Sequence, residues 1–512
     1  MGNRGLFAFE RENKAANMVQ RKNSPVFQIL FGLLAGGLFT AYFVYSDVIP
    51  LTPARLARPS AALSASFPLW SWIISLPLPV PTTPRAVAIL LVLLTAVTFT
   101  LYGLAVALSA KLAAAPATLA LVLIPAGAYF LLSVLALPNQ STDIFNYMLR
   151  GRLSAVYHQN PYTVAAAEIP NDPVYPYASH NFIDEPEWWK LPFWTSIEIG
   201  LARLTTENVG ANLLIYRGAF LLANLTNLAL IAWILNKMAP RHLLSGLVLY
   251  AWNPITVVLG QSKGDTIIVL FLLIAVLLLV LEHKNIAILP LALSVLIKLT
   301  TLPFAAAYLL GYLSKKKWRE YLLLGLLFAI TAGFFYFHYG LGEFLLPQVL
   351  GVIGMSAASA PEFLSSFLRV TFIAFIVLVG LTLNRDKKQI ILGWLLLALF
   401  FSLFLIDFGK AWYLMTLVAL ASLILDWRTS ALTWALSFSG FLFYNWESGF
   451  SQEFAAPVIN ILPRFAIYTG ILLLLLLGIG ASFLWKITRQ EQVYPPDLDG
   501  LRRMIGHSEN GK

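Results

Sequence analysis

The chain has 512 residues, of which 59% are hydrophobic and 12% are charged, and its mean hydropathy is +0.75. A soluble globular protein carries about 25% charged residues, and the apolar runs here are far longer than barrel strands, so a soluble fold and a membrane β-barrel are both excluded. The net charge of +10 comes largely from basic residues at the ends of apolar runs, where they orient membrane helices, so no nucleic-acid partner is predicted.

Apolar runs long enough to cross a bilayer as helices follow one another along the chain. They predict helices at 26–46, 86–109, 114–137, 211–236, 242–260, 265–282, 320–339, 366–384, 389–407, 412–426, 430–446 and 464–486. The run 285–313 is too long for one crossing and contains Pro290 and Pro303, so we expect two short helices that enter and leave on the same side, with Lys298 at the outer turn. The prediction is an all-α polytopic membrane protein of about 13–14 helical segments.

The distribution of basic residues predicts the orientation. The tail 1–25 is polar and basic, and the tail 487–512 is charged, so both are expected in the cytoplasm, on either side of a transmembrane domain at 26–486 of a cell membrane. The basic residues within 47–85 oppose the outer placement that this orientation gives that loop. The longest connection, 138–210, is also placed outside, and its prolines and aromatics predict short helices on the membrane surface over a cavity.

The main group of candidate catalytic residues follows the third predicted span. Ser141 or Thr142 can cap a helix that begins near Asp143, and Asp143, Tyr147 and Arg150 then share one face because they are four and three residues apart. A carboxylate, a phenol and a guanidinium suit a sugar-phosphate reaction, which needs a base for the acceptor and a cation for the phosphate. The alternative is an interfacial helix whose charges mark the water boundary.

Three short patches occur in this part of the chain: Asp143 to Tyr147, Arg150-Gly151-Arg152 and Asn160-Pro161-Tyr162. Together they resemble the start of the active-site loop in the GT-C superfamily of membrane glycosyltransferases. The similarity is closest to mannosyltransferases that use polyprenyl-phosphate-mannose. It implies a GT-C-like fold, and it implies that Asp143 is the catalytic base.

Further patches carry the resemblance to about residue 425. Lys190 to Thr195 matches in position but lacks the Tyr-Gly pair of the family. Asp265 follows Trp252-Asn253-Pro254 as in the family, but Ser262-Lys263-Gly264 replaces its usual neighbours, which leaves the role of Asp265 open. The predicted sugar or acceptor contacts are Tyr147, Tyr162, Trp194, Asp265, Trp412 and Tyr413.

Several basic residues are candidates for binding the donor phosphate. Arg150 and Arg152 are nearest to Asp143 in sequence, and Lys298, Lys410 and Arg464 lie beside apolar runs. A charge inside the bilayer costs about 2.5–3.5 kcal/mol on insertion scales, so such residues are functional candidates. The alternative for each is a side chain that extends to the membrane interface.

No metal ion and no cofactor are expected. Cysteine is absent, which excludes thiolate sites, and His158 and His180 lack the spacing of a known ligand pair.

The predicted reaction is an inverting transfer of a sugar, mannose by the resemblance, from a polyprenyl-phosphate donor to a lipid, glycan or protein acceptor at the outer face. Membrane lipids are the other expected partners. One alternative is a GT-C transferase for another lipid-linked sugar, such as arabinofuranose. Another is a transporter or lipid flippase, which would place charges or broken helices near mid-span in paired halves.

Overall fold

The computed structural model of the chain describes residues 25–48, 63, 68–77, 83–136, 143–179, 183–186, 191–205, 207–313, 362–383, 386–405, 410–424 and 426–449. These residues belong to one compact unit, Met1–Glu453. They form helices and no strands, so the all-α prediction is confirmed for the part described. The predicted helices 320–339 and 464–486 and the C-terminal tail lie outside the described residues, as does all but the last residue of the predicted N-terminal tail.

Fifteen α-helices of eight or more residues are described. They are α1 Pro25–Phe43, α2 Pro68–Ser75, α3 Pro84–Ser109, α4 Pro116–Leu135, α5 Asp143–Ala155, α6 Pro192–Ala202, α7 Val209–Met238, α8 Leu243–Ala251, α9 Asp265–Val280, α10 Ile288–Ile297, α11 Leu302–Leu313, α12 Glu362–Thr382, α13 Lys387–Phe404, α14 Leu414–Ala421 and α15 Trp427–Gly449. Single turns of 3₁₀-helix precede α11 at Leu299–Thr301 and α14 at Ala411–Tyr413.

Local chemistry explains where many of these helices begin. Five of them, α1, α2, α3, α4 and α6, start with proline, whose ring presets a helical φ and whose missing N–H is not needed in the first turn. The side chains of Thr83, Asn208 and Asp386 accept hydrogen bonds from backbone N–H groups at the starts of α3, α7 and α13. These signals are visible in the sequence, and the predicted helix starts agree with the structure within a few residues.

Within the described part of the chain, four helices are long and apolar enough to cross a membrane: Pro25–Val48, Ile89–Ser109, Pro116–Leu135 and Val209–Met238. Large apolar side chains on them are exposed, as expected of surfaces that face lipid: Ile29, Leu33, Ile89, Ile124 and Leu222. These helices fit a helical membrane protein. The count of 13–14 segments and the orientation stay predictions.

Two predicted apolar runs are interrupted. The run 285–313 divides into α10 and α11 around Lys298, as predicted, and the backbone of Lys298 is extended, with φ −160° and ψ 132°. The prediction of one helix over 242–260 was wrong, because α8 ends at Ala251 and a single π turn, Ile255–Leu259, follows. Pro254 explains this break, since it lacks an N–H and disfavours helical backbone at the preceding residue.

The connection between α4 and α7 contains short helices, as predicted. Helices α5 and α6 pack against each other and both contact α7. Gly151 allows the close approach, because a Cβ there would lie 2.4 Å from the carbonyl oxygen of Glu198 and 2.7 Å from the hydroxyl of Tyr216. The packing fixes the position of α5, whose first residue is Asp143, relative to α6 and α7. The position of these helices on a membrane surface stays a prediction.

Candidate active site

Asp143 forms an ion pair with a residue that is 120 positions away. It is the first residue of α5, and its carboxylate accepts a hydrogen bond of 2.6 Å from the ammonium group of Lys263. The side chain of Lys263 is only 3% exposed, whereas that of Asp143 is 30% exposed. The pair therefore fixes a buried cation beside a carboxylate that a ligand can reach.

A second pair of the same kind lies beside it in sequence. Asp265 is the first residue of α9, and its two carboxylate oxygens lie 3.3 and 3.4 Å from the ammonium group of Lys298. Asp265 is buried and Lys298 is partly exposed. Both aspartates occupy the first turn of a helix, where the helix dipole stabilises negative charge.

The two lysines also contact two consecutive aromatic rings. The ammonium nitrogen of Lys263 is 3.6 Å from the ring centroid of Trp412, and that of Lys298 is 4.0 Å from the ring centroid of Tyr413. The two ring centroids are 6.0 Å apart. Both ammonium-to-ring distances are within the range of cation–π attraction. The turn Ala411–Tyr413 therefore joins the two ion pairs into one cluster.

The irregular segment Gly260–Gly264, which carries Lys263, is held by buried polar side chains of the neighbouring helices. The carbonyl oxygen of Gly260 accepts hydrogen bonds from the Thr266 hydroxyl at 2.7 Å and from the Asn224 amide at 3.5 Å. The Asn227 amide donates to the Thr266 carbonyl at 3.1 Å. Buried backbone groups outside regular helices need partners elsewhere in the protein. The two bonds to the Gly260 carbonyl supply such partners, and they hold the start of the segment that carries Lys263.

An aromatic wall lies next to this segment. Tyr147 packs edge-on against Trp194, with ring centroids 5.0 Å apart, and Trp194 donates a hydrogen bond to the carboxylate of Glu198. A Cβ on Gly264 would lie 2.5 Å from the Trp194 ring, so the segment and the wall are in tight contact. Burial raises the pKa of the Tyr147 phenol well above its usual value, and nearby carboxylates add to the rise. Tyr147 is therefore a neutral group.

Several predicted site residues thus come together in the structure. Asp143, Asp265, Lys298, Trp412 and Tyr413 take part in the two ion pairs and the aromatic contacts. Tyr147 and Trp194 form the adjacent wall. The grouping involves chain segments separated by up to 270 positions. The roles of these residues stay predictions.

Arg152 is not part of this grouping. It lies nine residues after Asp143 and so points about half a turn away around α5. Its buried guanidinium pairs with Asp172 at 2.7 Å and with Glu207 at 3.3 Å, and it donates to the hydroxyl of Thr205 at 3.2 Å. The structure therefore places Arg152 in an ion pair within the connection and separates it from Asp143.

The other predicted residues have different positions. Arg150 is buried on the same face of α5 as Asp143, whereas Lys410 is exposed just before the turn Ala411–Tyr413. Tyr162 is buried, and its hydroxyl forms a hydrogen bond of 2.6 Å with that of Thr195. Arg464 lies outside the described residues.

Lys263 belongs to the candidate site but is not among the residues predicted from the sequence. A lysine between two long apolar runs and two residues before an aspartate is a usable signal for such a position. Within the described part of the chain, no group of three or more His, Asp or Glu residues could hold a metal ion. The expectation of metal-independent chemistry stays a prediction.

The comparisons with known proteins contribute no relative. No family model, no curated protein and no solved structure matches the chain. A function for this protein is therefore argued from its own residues and their geometry.

Proposed function

We propose that this protein is a membrane glycosyltransferase that moves a sugar, mannose in the first instance, from a polyprenyl-phosphate donor to a lipid, glycan or protein acceptor. The observation that carries the proposal is the cluster of two Asp–Lys pairs against Trp412 and Tyr413. A glycosyl phosphate presents a sugar and an anion together, and the cluster offers carboxylates, cations and aromatic faces together.

Asp143 is the base in this proposal. The acceptor hydroxyl attacks the anomeric carbon and inverts it, and the O–H proton passes to the Asp143 carboxylate. The bond between the anomeric carbon and the phosphate oxygen breaks, and its electron pair stays on the phosphate. Asp143 suits this role because its side chain is 30% exposed, whereas the Asp265 carboxylate is buried in its pair with Lys298. A positioned base contributes roughly 10²–10⁴-fold to such a reaction.

Lys263 and Lys298 bind the phosphate in this proposal. The leaving polyprenyl phosphate gains one negative charge as the bond breaks, and cations in a site with little water stabilise that charge strongly. Both ammonium groups are held in place by a carboxylate and a ring, so little reorganisation accompanies the reaction. Arg150 remains a candidate for the same anion, because it shares the Asp143 face of α5.

A lipid-linked donor fits the location of the cluster. Lys263, Asp265 and Lys298 lie at the ends or breaks of apolar helices, and Asp143 begins the short helix α5. A polyprenyl chain partitions into the bilayer and brings its phosphate to the interface, where helix ends lie. In full, the proposal is a polytopic protein of about 13–14 segments with the site at the outer face of a cell membrane and both termini in the cytoplasm.

The test uses membranes that contain the full chain and radiolabelled polyprenyl-phosphate-mannose, with polyprenyl-phosphate-arabinofuranose as a second donor. We expect Asp143→Asn to lower transfer by about 10²–10⁴-fold. The matched control is Asp184→Asn, an exposed aspartate of the same connection, which should transfer at the wild-type rate. Equal transfer by a well-expressed Asp143→Asn protein contradicts the assigned base. Movement of lipid or solute without transfer from either donor identifies a transporter instead.

A further inference from the structure

Gln261 has a buried side chain whose hydrogen-bonding groups are not used. The residue is 2% exposed. In the part of the chain that the structure describes, neither its amide nitrogen nor its amide oxygen has a hydrogen-bond partner. Buried polar groups in native proteins are almost always paired, and leaving one unpaired lowers the stability of the fold. An amide with both ends unpaired therefore needs an explanation.

The other buried amides of this region behave differently. The amide nitrogen of Asn227 donates to the Tyr250 hydroxyl and to the Thr266 carbonyl, and that of Asn253 donates to the hydroxyls of Tyr102 and Ser437. The core around Gln261 thus contains many groups that pair with amides. Among these amides the side-chain oxygen of Asn227 also lacks a partner, but only Gln261 lacks a partner at both ends.

The backbone on both sides of Gln261 is held in place. The Gly260 carbonyl is bonded to Thr266 and Asn224, and the Ser262 N–H donates to the Leu259 carbonyl at 3.2 Å. A Cβ on Gly260 would lie 2.2 Å from the carbonyl oxygen of Thr256, so a side chain does not fit at this position. The backbone that carries the unpaired amide is therefore held in place without a ligand, which favours a preorganised binding group.

Lys263 gives the location of this amide relative to the proposed reaction. Two residues of chain span at most about 7 Å, so the backbones of Gln261 and Lys263 lie within the size of one glycosyl phosphate. In such a donor the phosphate is joined to the sugar ring by a single oxygen. A ligand whose phosphate binds the Lys263 ammonium brings its ring hydroxyls to the same segment.

We propose that Gln261 binds the sugar of the donor by hydrogen bonds to a ring hydroxyl or to two neighbouring hydroxyls. A carboxamide suits this ligand, because it donates to a hydroxyl oxygen and accepts a hydroxyl proton at once. The proposal rests on the proposed glycosyltransferase function and adds to it a residue that selects the sugar. The unpaired amide is then a loss of stability that is retained because it serves binding.

The test is Gln261→Met in the full-length protein, because methionine keeps an unbranched chain of similar length and removes both polar atoms. Purified protein in detergent gives the thermal unfolding midpoint. Membranes give transfer from polyprenyl-phosphate-mannose and from its 2-, 3-, 4- and 6-deoxy analogues. Gln159→Met, at an exposed glutamine, is the matched control. Asn227→Leu, which removes two hydrogen bonds, is the control for a structural amide.

We expect Gln261→Met to unfold at or above the wild-type temperature, whereas Asn227→Leu unfolds below it. Transfer from the natural donor should fall about tenfold or more in Gln261→Met, and the variant should no longer distinguish one particular deoxy donor from the natural one. A lower unfolding temperature for Gln261→Met shows a paired structural amide or a bound water, and overturns the proposal. Unchanged transfer, or unchanged discrimination among all the deoxy donors, also overturns it.

The activity of wild-type membranes shows whether the proposed glycosyltransferase function is wrong or only the role of Gln261. If wild-type membranes transfer the sugar and Gln261→Met matches them, the role of Gln261 is wrong and the proposed function stands. If wild-type membranes transfer no sugar from the mannose donor, from its deoxy analogues or from the arabinofuranose donor, the proposed function is wrong. The role of Gln261 is then wrong as well.

Discussion

The ion pair between Asp143 and Lys263 makes a prediction about stability that does not depend on the reaction. Replacing Lys263 by methionine leaves the Asp143 carboxylate without its ammonium partner at 2.6 Å and removes the contact with the Trp412 ring. Breaking a fully buried pair costs about 3–5 kcal/mol. Asp143 is 30% exposed, so water solvates part of the remaining charge, and we expect a loss of about 2–3 kcal/mol.

The double variant gives the decisive comparison. Asp143→Asn with Lys263→Met removes both charges, and replacing both partners of a buried pair is often nearly neutral. The loss in the double variant should therefore be smaller than the sum of the two single losses by about 0.5–3 kcal/mol, the range measured for residues in contact. Thermal unfolding of the four purified proteins in one detergent measures this coupling.

Two results bear on the reasoning. Additive losses, with a coupling below about 0.5 kcal/mol, would refute the ion pair as a source of stability. A double variant that regains stability and still fails to transfer sugar separates the chemistry of the Asp143–Lys263 pair from its contribution to folding. The double variant is also a control for the activity test, because loss of the folded protein cannot explain the inactivity of a variant that is folded.

Two further predictions concern packing and the aromatic turn. Gly151→Ala should lower the unfolding midpoint by an amount equivalent to about 1–3 kcal/mol, because the new methyl group meets the Glu198 carbonyl at 2.4 Å; Gly218→Ala, where no atom lies within 4 Å, should not lower it. Trp412→Leu should raise the KM for the donor about 2- to 30-fold, because a cation–π contact with Lys263 is worth about 0.5–2 kcal/mol. Trp412→Phe should raise it less, because phenylalanine retains an aromatic ring. A donor titration in membranes measures these KM values, and equal values for Trp412→Leu and the wild type would contradict the prediction.

The helical elements could be read from the sequence because each depends on nearby residues. Apolar runs, prolines at helix starts and capping side chains act within one or two turns, so α3, α4 and α7 were predicted within a few residues. The division of 285–313 around Lys298 followed from the length of the run. The break after α8 was missed because the apolar pattern continues through it, although Pro254 marked the place.

The residue types of the candidate site were also visible in the sequence. Asp143 and Tyr147 share a helix face at a spacing of four residues, and Trp412 and Tyr413 are adjacent. Spacing along one helix also shows which residues share a face. The half-turn between Asp143 and Arg152 was therefore available from the sequence, although the partner of Arg152 was not.

The pairing of charges depended on the tertiary structure. Asp143 meets Lys263 across 120 positions, and Asp265 meets Lys298 because a helix break turns the chain back toward the start of α9. Spacing along the chain carries no information about such pairs, because they depend on how helices pack side by side. The sequence by itself determined a helical membrane protein, since apolar length and helix capping are local quantities. Only the tertiary structure decided which lysine lies against which carboxylate and ring, because burial and electrostatic pairing act between elements that are distant in the chain.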